Sequence, residues 1–140
     1  MPIEFCSVSG FSEVGKNMSA IKVGGDAVLL DMGFYVQKLA DFEEHNGNRA
    51  ELTKEQMIDL QCIPNDRCIN SWSDSVRAIA CSHAHLDHVG AVPYLAPKYR
   101  APILATPYTI EVLKNQMLED EIKLPNQIKK LNTGSMHKAG

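Results

Sequence analysis

Hydrophobic residues fall in short runs separated by glycines and polar clusters, with one long polar interruption. Ile3–Val8 has the make-up of a strand, and Gly10–Asn17 (GFSEVGKN) follows with turn chemistry. Two more apolar runs, Ser19–Val23 and Ala27–Asp31, are split by Gly24-Gly25-Asp26, the spacing of a hairpin. Leu29, Leu30 and Met32 around Asp31 predict a strand buried on both faces. Residues 34–75 read as a less regular, polar insertion. Within it, Phe34–Glu44 is predicted helical up to the break at Asn46-Gly47-Asn48. Thr53–Gln61 is predicted as a short helix, because Thr53 followed three residues later by Gln56 makes a capping box.

Order returns at Val76–Cys81, a short buried strand, with Ser82–Gly90 as the loop at its C-terminal end. Pro93 fits the first turn of a short helix. Ile103–Ala105 is a further strand, and Thr106-Pro107 opens the best helical pattern in the chain. Ile110, Leu113, Met117 and Leu118 are expected on one face of that helix. Leu124–Leu131 adds one more short element. Strands, an insertion, then β-loop-α-β-α predict an α/β (α+β) chain: a mixed sheet with helices on one face.

The 140 residues, 44% hydrophobic and 22% charged, fit one globular domain or less and exclude a disordered tail, a collagen and a coiled coil. No apolar run approaches the ~18 residues that span a bilayer. MPIEFCSVSG lacks the basic start and apolar stretch of a secretory signal, so the expected location is cytoplasmic, with no membrane partner. Cys6, Cys62, Cys68 and Cys81 form no C-x-x-C pair and are expected as reduced thiols, Cys6 and Cys81 as small core residues. A net charge of −3 offers no basic field for nucleic acid.

The chemistry concentrates in Ser82-His83-Ala84-His85-Leu86-Asp87-His88-Val89-Gly90, which holds three of the five histidines. In an extended segment alternate side chains point the same way, so His83 and His85 can converge on one ion. A bend beyond them swings Asp87 and His88 toward a second. Imidazole and carboxylate suit Zn²⁺, with Mn²⁺ or Fe²⁺ as alternatives. Two ions ~3.5–4 Å apart hold a shared hydroxide for hydrolysing a phosphodiester, an ester or an amide. The bland alternative, surface or satisfied core histidines, suits His45 and His137, which are expected in solvent. It does not suit three imidazoles and a carboxylate packed between a strand and a helix.

Asp31 ends an apolar strand, where an unbonded carboxylate is costly. It reads either as the acceptor that orients a ligand histidine or as a turn aspartate before Gly33. Gly10–Asn17 matches a phosphate-binding G-x-x-x-x-G-K, but Asn17 stands where Ser or Thr belongs. The strand-like MSAIKVGG follows where a helix is needed, so nucleotide binding is rejected there. Lys16 reads as an ordinary surface lysine.

SHAHLDHVG is similar to the H-x-H-x-D-H signature of the metallo-β-lactamase superfamily. VSGFSEVGKNMSAIKVGGDAVLLDMG resembles the N-terminal block of the β-CASP ribonucleases. DHVGAVPYLAPKYRAPILATPYTIEVLK resembles the segment after the motif in the ribonuclease J family, especially its archaeal form. This resemblance implies the N-terminal half of an αββα sandwich over residues 1–140, without the β-CASP insertion and the rest of the domain. It implies a ribonuclease that cuts RNA 5′ to 3′, preferring a 5′ monophosphate, with endonucleolytic cutting in some members. Two ions, usually zinc, would be held by His83 and His85 (first) and by Asp87 and His88 (second), which makes Asp87 and His88 the candidate catalytic residues. Asp31 would be the family's first-motif aspartate, and a homodimer is open for the full-length protein. The family's remaining ligands have no counterpart here, so the chain alone is expected to bind metal weakly and not to turn over RNA.

Other readings stay open at this point. One is a small-molecule hydrolase of the same superfamily, of the glyoxalase II or lactamase type. Another is a non-catalytic fragment or pseudoenzyme that binds a partner chain. The last is a structural protein with one ion on His83 and His85.

Overall fold

The Gly24-Gly25 turn, with Gly24 left-handed at φ +59°, folds β2 (Met18–Val23) back on β3 (Asp26–Leu30). β1 (Ile3–Ser9) pairs with β2, also antiparallel. After the insertion, β4 (Val76–Ala80), β5 (Ile103–Ala105) and β6 (Ile128–Lys130) join in parallel, each beside the last. The computed structural model, which describes residues 1–140, thus holds one mixed six-stranded sheet in the order β1-β2-β3-β4-β5-β6.

The registers place Cys6, Ala20, Leu29, Ile79, Ile103 and Ile128 in one row across all six strands. Their face packs into a hydrophobic core with residues of the helices. α1 (Val36–Asn46) contributes Leu39 and α2 (Lys54–Asp59) contributes Met57 and Ile58. α3 (Leu86–Val89) and α4 (Val92–Leu95) contribute Val89, Val92 and Leu95, and α5 (Pro107–Glu119) contributes Ile110 and Leu113. Buried carboxylates pin the insertion to this core. Tyr99 donates to Asp66 at 2.7 Å, and Tyr94 donates to Asp120 at 2.7 Å, where Arg49 also donates at 3.1 Å. Burial first, and Asp66 second, hold the Tyr99 hydroxyl well above the usual phenol range.

Several expectations need correction. β3 is buried on one face only: Leu29 is fully covered, whereas Leu30 is 37% exposed, because the outer face of β1–β3 carries no layer. Ile3, Phe5 and Val23 are exposed on that same face. Residues 82–90 are not all loop, since α3 forms inside them. On α5 the buried stripe is Thr109, Ile110, Leu113 and Gln116, with Leu118 turned to solvent, because the Gln116 amide bonds the Gly90 carbonyl at 2.6 Å. Cys6 is only half-buried, its Sγ 3.9 Å from that of Cys68, whereas Cys81 is buried as expected. His137 is half-buried rather than exposed.

Candidate metal centre

The site lies where β3 and β4 end side by side, the end of a parallel pair where α/β proteins gather functional groups. Asp31 leaves β3 in the left-handed conformation, φ +62°, with its N–H bonded to the Ala80 carbonyl at 2.9 Å. This turn carries its carboxylate across to the residues that follow β4. Asp31 Oδ1 accepts the Ser82 N–H at 2.7 Å. Asp31 Oδ2 accepts the Ser82 hydroxyl at 2.7 Å and stands 2.8 Å from His88 Nδ1. The buried carboxylate is therefore fully bonded, which answers its cost.

These contacts fix which nitrogens are free. An ionised carboxylate only accepts, so His88 carries its proton on Nδ1 and keeps a lone pair on Nε2. The Ser82 hydroxyl, having donated to Asp31, accepts from His83 Nδ1 at 2.9 Å and leaves His83 Nε2 free in turn. One carboxylate thus sets the tautomer of two imidazoles, one directly and one through Ser82.

The three rings are grouped. His83 lies 4.6 Å from His85 and 4.1 Å from His88 between centroids. Asp87 Oδ2 is 3.6 Å from His88 Nε2. Two atoms bound tetrahedrally to one zinc stand about 3.3 Å apart, so that pair needs only a small adjustment to share an ion. The donor chemistry fits a divalent cation: free imidazole nitrogens, one orienting carboxylate and one carboxylate available as ligand. No three of these groups are arranged to hold an ion as they stand. The structure brings together His83, His85, His88 and Asp31, and brings Asp87 to His88.

Backbone contacts support the cluster from behind. Met32 N–H bonds the His88 carbonyl at 2.8 Å, and Phe34 N–H bonds that of Leu86 at 2.8 Å. The segment after β3 therefore runs beside α3 like an extra strand. Gly33 permits that approach, because a Cβ there would lie 1.6 Å from the Asp87 oxygen. Gly90 does the same for the Phe34 ring, which a Cβ would meet at 2.2 Å. A cavity of about 460 Å³ adjoins the site, lined in part by Phe11, Asn17, Leu30, Asp31, Ser82 and His88. Burial, then the Asp31 charge, pushes the Cys81 thiol up to about 12, so it stays a thiol rather than a ligand thiolate.

Reading the sequence alone missed Ser82, Gly33 and Asn17. Ser82 had a signal, a hydroxyl directly before the histidine run. Lys16 is half-buried, in the left-handed region at φ +49°, with its ammonium 6.0 Å from the Tyr35 ring centre, so it is less free than a surface lysine.

The chain is similar to known proteins over most of its length. The model of the metallo-β-lactamase superfamily matches residues 73–135. The chain is 40% identical over 135 residues to a ribonuclease J of Methanocaldococcus jannaschii, covering 96% of this chain and 30% of that protein. It is 37% identical over 136 residues to a ribonuclease J of Pyrococcus abyssi, covering 96% of this chain and 29% of that protein. The chain thus spans about a third of the length of these relatives. Among solved structures, a diphosphatase of the PhnP family aligns with TM-score 0.47 at 18% identity, over 95% of this chain and 46% of that one.

Proposed function

We propose that this chain, whose residues 73–135 match the model of the metallo-β-lactamase superfamily, supplies half of the metal centre of a ribonuclease acting on RNA phosphodiester bonds. The observation that carries this reading is the proton arrangement set by Asp31. It leaves the Nε2 atoms of His83 and His88 free beside His85 and Asp87. In this reading His83 and His85 hold a first zinc ion, with Mn²⁺ as the alternative, and Asp87 and His88 hold a second. Such ions supply a nucleophile at neutral pH and offset the charge that develops on a phosphodiester. Asp31 and Ser82 keep the imidazoles in the metal-binding tautomer, and Gly33 and Gly90 keep the backbone close behind them.

The similarity to ribonuclease J supports RNA over a small thioester or lactam as substrate, and in this reading a 5′-monophosphorylated end is preferred and the activity is cytoplasmic. The relatives are about three times as long as this chain, and in this reading the further length would supply the remaining ligands and a layer over the open outer face of β1–β3. The 140-residue chain by itself then binds metal weakly and does not cleave RNA.

The test pairs two proteins, this chain alone and a version extended to the relatives' length, each given Zn²⁺ and 5′-phosphorylated RNA. The extended protein is expected to release nucleotides and the chain alone to release none. H83A with H85A should cut the extended protein's rate at least ~100-fold, since losing ligands costs more than the roughly 10–100-fold typical of losing a group that only orients one. Efficient cleavage by the chain alone would refute the half-centre, and a thioester hydrolysed faster than RNA would refute the substrate.

A further inference from the structure

Asn17 lies seventy positions before Asp87, in a segment read from sequence as a turn and rejected as a phosphate loop. In the structure it reaches the metal-candidate turn by three routes. Its backbone N–H bonds the Asp87 carbonyl at 3.1 Å, and its side-chain amide bonds the same oxygen at 3.0 Å. That amide nitrogen also stands 3.4 Å from His88 Nε2. Its own carbonyl accepts the Gly33 N–H at 3.1 Å, so Asn17 is held in the same backbone layer as the turn it grips.

The geometry points to Asn17 as the positioning residue of the Asp87–His88 half of the centre. Its carboxamide anchors the peptide between those two ligands and fixes the Asp87 carboxylate against the His88 nitrogen. A carboxamide suits the task. It has two N–H donors, one engaged by the Asp87 oxygen and one directed toward the lone pair that a cation would take. The second contact is long and gives way to an ion, while the first persists and keeps the turn in place. A residue that merely filled space would make neither contact. This inference rests on the metal reading above, and its test separates the two.

The experiment uses the 140-residue chain with Asn17→Ala, Asn17→Ser and His85→Ala. Backbone amide exchange is measured without metal, and Zn²⁺ affinity is measured by competition with a chromophoric chelator. Loss of one hydrogen bond from the turn is expected to speed exchange at residues 86–90 of N17A about fivefold, with the β3–β4 ladder unchanged. Zn²⁺ affinity of N17A is expected to fall about tenfold, within the range for groups that orient ligands. N17S, which retains a donor, should fall between N17A and the native chain in both measurements, and it serves as the folded variant if N17A does not fold. H85A should lose affinity with native exchange in the turn. Native exchange in N17A, or faster exchange with native Zn²⁺ affinity, overturns the positioning role. If the unmodified chain takes up no Zn²⁺ at all, the metal reading has failed, and the exchange contrast alone decides whether Asn17 sets the turn.

Discussion

Asp31 is the residue on which the site's protonation turns. It accepts from Ser82 N–H, Ser82 hydroxyl and His88, and an asparagine of the same shape satisfies only part of that set. In D31N the amide oxygen can still take the Ser82 N–H. The NH₂ then faces His88 Nδ1 and demands a lone pair there, which sends the imidazole proton to Nε2, the nitrogen a cation needs. D31N is therefore expected to stay folded while losing Zn²⁺ affinity 10–100-fold, roughly the range seen when a ligand's orienting partner is changed. Nitrogen-15 shifts of the His88 ring read the tautomer directly, and an unchanged tautomer would contradict the account. That Asp31 had a role was legible, because a carboxylate ending an apolar strand has to be bonded. Which of its two roles it plays was not, because the partners come from fifty and more positions away. The structure gives it both the turn conformation and the orienting contact.

Among elements, those driven by local chemistry were the legible ones. Thr53 and Gln56 form the reciprocal capping box, with Thr53 N–H to Gln56 Oε1 at 2.9 Å and Gln56 N–H to Thr53 Oγ1 at 3.1 Å, and α2 starts there. The Gly24-Gly25 turn and the Pro107 helix start follow the same logic. α3 was not legible. Four residues cannot sustain a helix by propensity, and this one exists because the segment after β3 bonds its Leu86 and His88 carbonyls. Leu118 was misplaced because a periodic pattern does not reveal that a glutamine, Gln116, takes the buried position. At this scale Gly33 is the critical joint. In G33A the new methyl would overlap the Asp87 carbonyl, so the two segments must part, with a cost of about 1–3 kcal/mol typical of forced overpacking. Thermal melting should show that loss together with weakened Zn²⁺ binding. A native melting curve with native affinity would mean that the two segments are not held as closely as described.

Across the whole molecule, one face of the sheet is covered by helices and the insertion, and the outer face of β1–β3 is open. The core row was legible as apolar runs, but which face would be covered was not, because alternation in β1–β3 is blurred by hydrophobic residues on both sides. The insertion is held down in part by the buried Tyr99–Asp66 bond, and this makes stability depend on pH in the alkaline range. The fold favours the protonated Tyr99 hydroxyl, so the folded chain binds that proton more tightly than the unfolded one. This contribution is whole below about pH 10, where an unfolded tyrosine titrates, and is lost as pH rises through the folded value. Melting temperature is therefore expected to fall from about pH 10 upward. Y99F should start lower at pH 7, since Asp66, 1% exposed, loses a donor, and should decline less steeply in alkali. Parallel curves for the two proteins would show that Tyr99 is not coupled to folding.

The central claim is that His83 and His85 offer nitrogen ligands to a first cation, and that Asp87 and His88 offer oxygen and nitrogen to a second. Zinc K-edge X-ray absorption on the chain at pH 7 with stoichiometric Zn²⁺ addresses it directly. The account predicts a nitrogen/oxygen shell near ~2.0–2.1 Å with outer-shell scattering from at least two imidazoles, which disappears in H83A/H85A/H88A. A sulfur shell near ~2.3 Å, placing the ion on cysteine, or a shell of water oxygens alone, would contradict it.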